Sequence, residues 1–262
     1  MTMTSHSDTV LDHVDPDLLH ETRERARQGP AISAPLAAAA VASVPLALGV
    51  FAARAYGQGS ALPQGIRDVL NFALTLEYLE AAFYRQGLAA PGLIPARDRA
   101  VFAQIGRHED EHVTLLRSVL GANAVIEPAF DFTAGGAFAD VFSNYTTFLA
   151  LAQGFEDTGV RAYKGQAAAL IDSDAILTVA LQIHSVEARH ASQVRRMRGQ
   201  KGWIVGDSTD VSALAAVYAG EGNTMQAGVN TASFVSAGAA GEAFDEPLTR
   251  DEVLAVAGLF LA

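Results

Sequence analysis

A pattern of helix-borne ligands is written twice in this chain. Glu77 is followed 32 residues later by Glu109-Asp110-Glu111-His112, and Glu156 is followed 31 residues later by Glu187-Ala188-Arg189-His190. Each half is one lone Glu and then one Glu-x-x-His. Residues three apart on a helix share a face, so each Glu and its His point into the same space. One Glu-x-x-His is weak evidence by itself. Here the sequence holds only two, at matching places, each preceded by a Glu at nearly equal distance. Leu74, Leu76, Phe83, Leu149, Leu151 and Phe155 surround the lone Glu residues with apolar neighbours. Uncompensated carboxylates are too costly to bury. The pattern therefore constrains the chain to four helices whose inner faces converge on cations.

The coarse reading beyond Ser60 is all-α. Pro63 opens a helix to about Gln86, and Gly87 to Pro95 reads as a short link with Gly and Pro breakers. A second helix runs from about Pro95 to Leu120 and stops at Gly121. A long link to about Ser143 precedes a third helix, Asn144 to Gly165, and Ser173 caps a fourth that ends near Gly199. Alternating strand patterns are absent from 64–199. The links read short, long, short, which is the connectivity of a ferritin-like four-helix bundle with one long crossover. The two helix pairs also read as repeats. A shift of 79 places Glu77 on Glu156 and Tyr84 on Tyr163; a shift of 78 places Ile105 on Ile183, Glu109 on Glu187 and His112 on His190. Such a duplication predicts a pseudo-twofold axis through the ligand cluster.

The expected ligand set is Glu77, Glu109, His112, Glu156, Glu187 and His190, holding two iron or two manganese ions. Glu109 and Glu187 would bridge, Glu77 and Glu156 would be terminal, and each His would serve one ion. Oxygen-rich ligands with two imidazoles suit iron or manganese better than copper, and the lack of thiolate disfavours zinc. The ions would react with small oxidants, with no catalytic residue beyond the ligands. Glu80, one turn from Glu77, reads as an extra ligand, a gate carboxylate or a surface residue; its repeat partner is Gly159. His184 reads as a residue orienting Glu187 or as a half-buried His satisfied elsewhere. Tyr84 and Tyr163 lie two turns from their Glu residues, placed either to bond near the site or to pack in the core. Arg107, Arg161 and Arg189 are candidates to neutralise the carboxylates when metal is absent.

Composition narrows the function. The formal net charge of −11 and the lack of a Lys/Arg-rich tract exclude a general nucleic-acid binder. The chain has no cysteine, which excludes disulfides, iron–sulfur clusters, zinc-thiolate sites and thiol catalysis. Residues 1–30 are polar. Ala31 to Ala53 then carries no charge, and Ala53-Arg54-Ala55 has the small-x-small form of a cleavage site. Residues 1–55 thus read as a polar region followed by a signal peptide or a membrane anchor, and the rest as exported, periplasmic or anchored facing the periplasm. No adjacent Arg pair supports a twin-arginine signal. Residues 62–200 form the expected bundle and 201–262 an extension. Thr249-Arg250-Asp251-Glu252 is a capping box opening a last helix, Val253 to Leu261. The weakly patterned stretch before it reads as a lid or as a contact in a homo-oligomer.

The segment Asn71-Phe-Ala-Leu-Thr-Leu-Glu-Tyr-Leu-Glu-Ala-Ala-Phe-Tyr84 resembles the first helix of ferritin-like proteins of the desiccation-related family. So do His108-Glu-Asp-Glu-His112, Phe130-Asp-Phe132, Gly154-Phe-Glu-Asp-Thr-Gly-Val-Arg-Ala-Tyr163 and Glu187-Ala-Arg-His190. The resemblance covers roughly 62–200, and more loosely the tail through Tyr218-Ala-Gly-Glu221 and Ala243-Phe-Asp-Glu-Pro247. It implies a ferritin-like fold, a role in stress and often an exported N-terminus; it implies no defined reaction. The ligand order is also similar to that of manganese catalases and, less closely, rubrerythrins, whose added iron–cysteine centre is excluded here. Nothing in the chain replaces the shell contacts of cage-forming ferritins. The first expectation is a redox protein acting on oxygen, peroxide or ferrous iron. The alternatives are a structural stress protein whose metal only holds the bundle together, and an anchored subunit of a membrane complex.

Overall fold

The computed structural model describes residues 62–262. The apolar run 31–53 and the segment around it lie outside the described residues. No helix among the described residues is long and apolar enough to cross a membrane.

Four long helices dominate: α1 (Gln64–Ala89), α2 (Ala96–Leu120), α3 (Tyr145–Gln166) and α4 (Asp174–Met197). Their ends follow local chemistry. Pro63 and Pro95 stand immediately before α1 and α2, where a missing N–H costs nothing. The Asn144 side chain accepts from the Thr146 N–H at 3.0 Å and starts α3. Ser173 occupies the N-cap of α4 but makes no side-chain capping bond there. Gly121 takes φ 55°, a conformation that ends α2.

The expected break at Gly87 does not occur. The helix runs through it because the missing side chain makes room: a Cβ on Gly87 would meet Phe148 Cε2 at 2.3 Å. Gly165, also inside its helix, lets the backbone of the extension lie against α3; a Cβ there would fall 1.9 Å from the Leu248 carbonyl oxygen. Both glycines mark close packing and not chain reversal.

The closest pairs are α1 with α2 and α3 with α4, as short links require. Between the pairs runs the crossover, 121–144, with Phe132, Phe138 and Val141 buried against the bundle. Every residue of α3 from Phe148 to Tyr163 is buried. A helix covered on all sides needs more than three neighbours, and the extension supplies the rest. Leu214, Val217, Tyr218, Val253, Val256 and Phe260 join the same core cluster as Phe148 and Phe155.

The extension has little regular structure. It holds a two-stranded antiparallel ladder, β1 (Met225–Gln226) and β2 (Val229–Asn230), turned by Ala227 and Gly228 with φ of 48° and 83°. A short helix α5 (Ala237–Gly241) follows, then α6 (Arg250–Ala257). The Thr249/Glu252 capping box is present at the start of α6. This last helix ends earlier than its pattern suggests: residues 258–260 tighten into a 3₁₀ turn and Leu261 pairs with Phe130. Two backbone bonds tie the C-terminus to the crossover, Asp131 N–H to Phe260 O at 2.8 Å and Ala262 N–H to Ala129 O at 3.0 Å.

Candidate metal centre

Each long helix carries ligand-type side chains into the bundle at mid-length. Helix α1 brings Glu77, α2 brings Glu109 and His112, α3 brings Glu156, and α4 brings Glu187 and His190. All six residues are buried, and the four carboxylates have no exposure. They gather into two groups whose ligand atoms lie within 4.8 Å of one another: Glu77, Glu109, His112 and Glu187, and Glu109, Glu156, Glu187 and His190. Glu109 and Glu187 belong to both.

The distances show how the sharing works. His112 Nδ1 lies 3.1 Å from Glu77 Oε2, 3.0 Å from Glu109 Oε2 and 3.2 Å from Glu187 Oε1. His190 Nδ1 lies 2.9 Å from Glu109 Oε1, 3.2 Å from Glu156 Oε2 and 4.0 Å from Glu187 Oε2. Each shared carboxylate thus turns one oxygen to each imidazole. The remaining oxygens of the terminal pair are held by tyrosines in a crossed arrangement. Tyr84 of α1 donates to Glu156 Oε1, and Tyr163 of α3 donates to Glu77 Oε1. These are the two tyrosines related by the repeat, so each half orients the other's terminal Glu.

Charge is unbalanced among these groups. Glu109 Oε1, Glu156 Oε2, both Glu187 oxygens and His190 Nδ1 are buried without a hydrogen bond, although they crowd at contact distance. Burial, then the Glu109 charge, pushes the Glu187 carboxyl well above its usual range. Burial also raises Glu109, against the hydrogen bond with His112 and the neighbouring His190. Burial opposes a charged His190, but the charges of Glu156 and Glu109 outweigh it and raise its pKa to about 11. His112 is likewise raised well above normal, burial being outweighed by Glu77, the bond to Glu109 and the adjacent Glu187. Oxygens and imidazole nitrogens aimed at common points, with several oxygens unpaired and two histidines against four carboxylates, fit resident cations; these groups can hold metal ions.

Two neighbours break the repeat symmetry. Glu80 is buried beside the cluster, where burial and the charges of Glu187, Glu156 and Glu77 raise its pKa strongly. Its partner Gly159 leaves room for it: a Cβ on Gly159 would stand 3.1 Å from Glu187 Oε2 and 3.3 Å from Glu80 Oε1. Glu80 is therefore not a surface residue. The second is His108, whose Nδ1 lies 2.8 Å from His190 Nε2, with the rings stacked. Burial, then His190, lowers its pKa to about 4. A ligand whose outer nitrogen is fixed in this way keeps its ring orientation. The sequence signal for His108 was its place one turn before His112.

The remaining candidates lie away from the ligands, His184 following the second of its two readings. His184 is half-buried and faces the Val160 backbone, with no bond to Glu187. Arg107 is exposed and bonds Gln104, and Arg189 is exposed. Arg161 is buried but turned outward: it pairs with Glu221 at 2.7 Å and donates to the carbonyls of Val217, Ala219 and Glu246. None of the three neutralises the cluster. Its positive charge in the metal-free state comes from the histidines.

An antiparallel four-helix bundle with one long crossover and a buried carboxylate–imidazole cluster at mid-length defines a ferritin-like protein. The family model of the ferritin-like domain matches residues 66–200, just over half of the chain, and the chain belongs to that family. A search of the curated proteins finds no match.

Proposed function

We propose that this chain is a di-metal carboxylate protein that holds two iron or two manganese ions and acts on oxygen, peroxide or ferrous iron. One observation carries the reading: two ligand groups of equal make-up share Glu109 and Glu187. The ions would supply the electron transfer. The chain's own residues do the rest. Glu77, Glu109 and His112, with Glu187, hold one position; Glu156, Glu187 and His190, with Glu109, hold the other. Tyr84 and Tyr163 fix which oxygen of each terminal carboxylate faces inward, and His108 keeps the His190 ring in register. Burial among apolar side chains excludes bulk water and strengthens every charge interaction inside.

The resemblance to desiccation-related proteins supports a role in stress, and the ligand order similar to manganese catalases supports peroxide as a substrate. Export through residues 31–53, as signal or anchor, belongs to the same proposal, as do the division at about residue 200 and assembly into a homo-oligomer. Sequencing the N-terminus of the mature protein tests the export step: loss of residues up to about Ala55 supports a cleaved signal, and an intact start supports an anchor.

The test of the centre is elemental analysis of the purified protein and of its Glu109→Ala and Glu187→Ala variants. About two iron or manganese per chain, lost in both variants, supports the reading; unchanged stoichiometric metal in the variants sinks it. The burial of all six residues also favours a structural role in which the ions only hold four helices together. The two readings part on whether bound metal changes oxidation state under peroxide or dioxygen.

A further inference from the structure

The ligand layer divides the bundle core into two unlike halves. On one side Phe83, Phe102, Phe148 and Phe155 pack ring against ring, with Phe83 and Phe148 stacked at 4.7 Å and Phe102 against Phe148 at 5.1 Å. On the other side lies a cavity of about 40 Å³ lined from all four helices. The repeat explains the difference. The shifts of 79 and 78 place Val69 on Phe148, Leu76 on Phe155, Phe83 on Ala162 and Phe102 on Ala180. The four partners, Val69, Leu76, Ala162 and Ala180, all line the cavity. Four rings at one end are replaced by four smaller side chains at the other, and space remains.

The cavity ends beside the cluster, one layer of side chains from the ligands. Ala73, Leu116 and Ile183 in its wall stand one helical turn from Glu77, His112 and Glu187, and Tyr163 in the same wall donates to Glu77. Only Tyr163 and Gln166 bring polar side chains, and the Tyr163 hydroxyl is already committed. Hydrogen peroxide would lose its hydrogen bonds with water on entering such a space and regain few. Dioxygen has none to lose. The volume admits a few atoms and not an extended chain. We propose that this cavity binds dioxygen and delivers it to the Glu77 side of the centre. The inference rests on the reading of the centre as a redox site and names its oxidant.

The experiment is xenon binding to crystals of the full chain as purified, under a few atmospheres of gas. Xenon density is expected between Ala73, Ala162, Ala180 and Tyr163. Ala180→Phe, which installs the ring found at position 102, should abolish it; Ala162→Leu serves if that variant does not fold. Loaded with ferrous iron, the filled variant should be oxidised by dioxygen at least tenfold more slowly than the parent. Its oxidation by peroxide should be unchanged. No xenon in the parent, or an unchanged dioxygen rate in a variant that has lost xenon, overturns the proposal. Xenon binding needs no metal, so a chain that holds none would refute the redox centre while leaving the cavity result readable.

Discussion

Arg161→Met is the sharpest test of how the extension is fastened to the bundle. Arg161 is 1% exposed and meets Glu221, also 1% exposed, at 2.7 Å. Nη1 and Nη2 donate to the carbonyls of Val217 and Ala219, and Nε, the atom that faces Glu221, donates to the Glu246 carbonyl. Methionine fills similar space and removes every donor. Removing one partner of a buried ion pair costs ~3–5 kcal/mol, because the other charge is left uncompensated. The chain can escape that cost by opening the extension and hydrating Glu221, so the loss should appear as local opening. At about 1.4 kcal/mol per tenfold, the opening constant rises roughly a hundredfold to several thousandfold. Amide hydrogen exchange reads it directly. Protection should fall by that factor around 217–222 and at Leu248, whose N–H bonds the Arg161 carbonyl at 3.2 Å. Amides in mid-α1 and mid-α2 should change far less. Adding Glu221→Gln to the variant should restore much of the protection, since the stranded charge is gone. Protection that changes less than tenfold in Arg161→Met, or a loss spread evenly over all four helices, would refute the reasoning.

Other expectations follow from the centre and the packing. In the metal-free protein His190 and His112 have folded pKa values raised above the unfolded value of about 6.5. Their stabilisation is therefore complete below pH ~6.5 and is lost as pH rises toward His190's value of about 11, so the melting temperature of chelator-treated protein should fall from pH 6.5 to 10; a flat profile contradicts this. Metal uptake at neutral pH should release protons from both imidazoles, measurable in weakly buffered titrations with a pH indicator. Tyr163→Phe and Tyr84→Phe each free one buried carboxylate oxygen and should weaken metal retention ~10–100-fold in chelator competition; affinity equal to the parent would show the crossed bonds to be idle. Gly165→Ala should cost at least ~1–3 kcal/mol, because the new Cβ meets the Leu248 carbonyl. Gly65→Ala, with nothing within 4 Å, should stabilise by ~0.5–1 kcal/mol, both read by thermal melting.

Much of the bundle was legible because its signals are local. The i,i+3 spacing of Glu109 with His112 and of Glu187 with His190 depends only on helix geometry, and the repeat aligned the two halves. Proline and asparagine before the helices fixed three of their starts. What stayed hidden depends on contacts far apart in sequence. Gly87 has the same letter as a breaker, and only the Phe148 ring against it reveals a packing role. Arg161 sits five residues after a ligand, yet its partner Glu221 lies 60 residues on, so proximity along the helix pointed it wrongly toward the cluster. Helix α3 reads as an ordinary amphipathic stretch until the extension covers its outer face. The apolar run at 31–53 lies outside the described residues and leaves its expectation where the sequence put it.

The crossed pairs, Tyr84 to Glu156 and Tyr163 to Glu77, carry a consequence for ancestry. The same two contacts would form if two identical helix pairs met about a twofold axis, since each copy would lend its tyrosine to the other. Such a dimer, however, must place the same residue on both sides of its axis. It could not set Glu80 against Gly159, or keep four rings at one end and a void at the other. Joining the copies into one polypeptide removes that obligation. A fused gene could then evolve a front door and a back wall from what had been interchangeable sides.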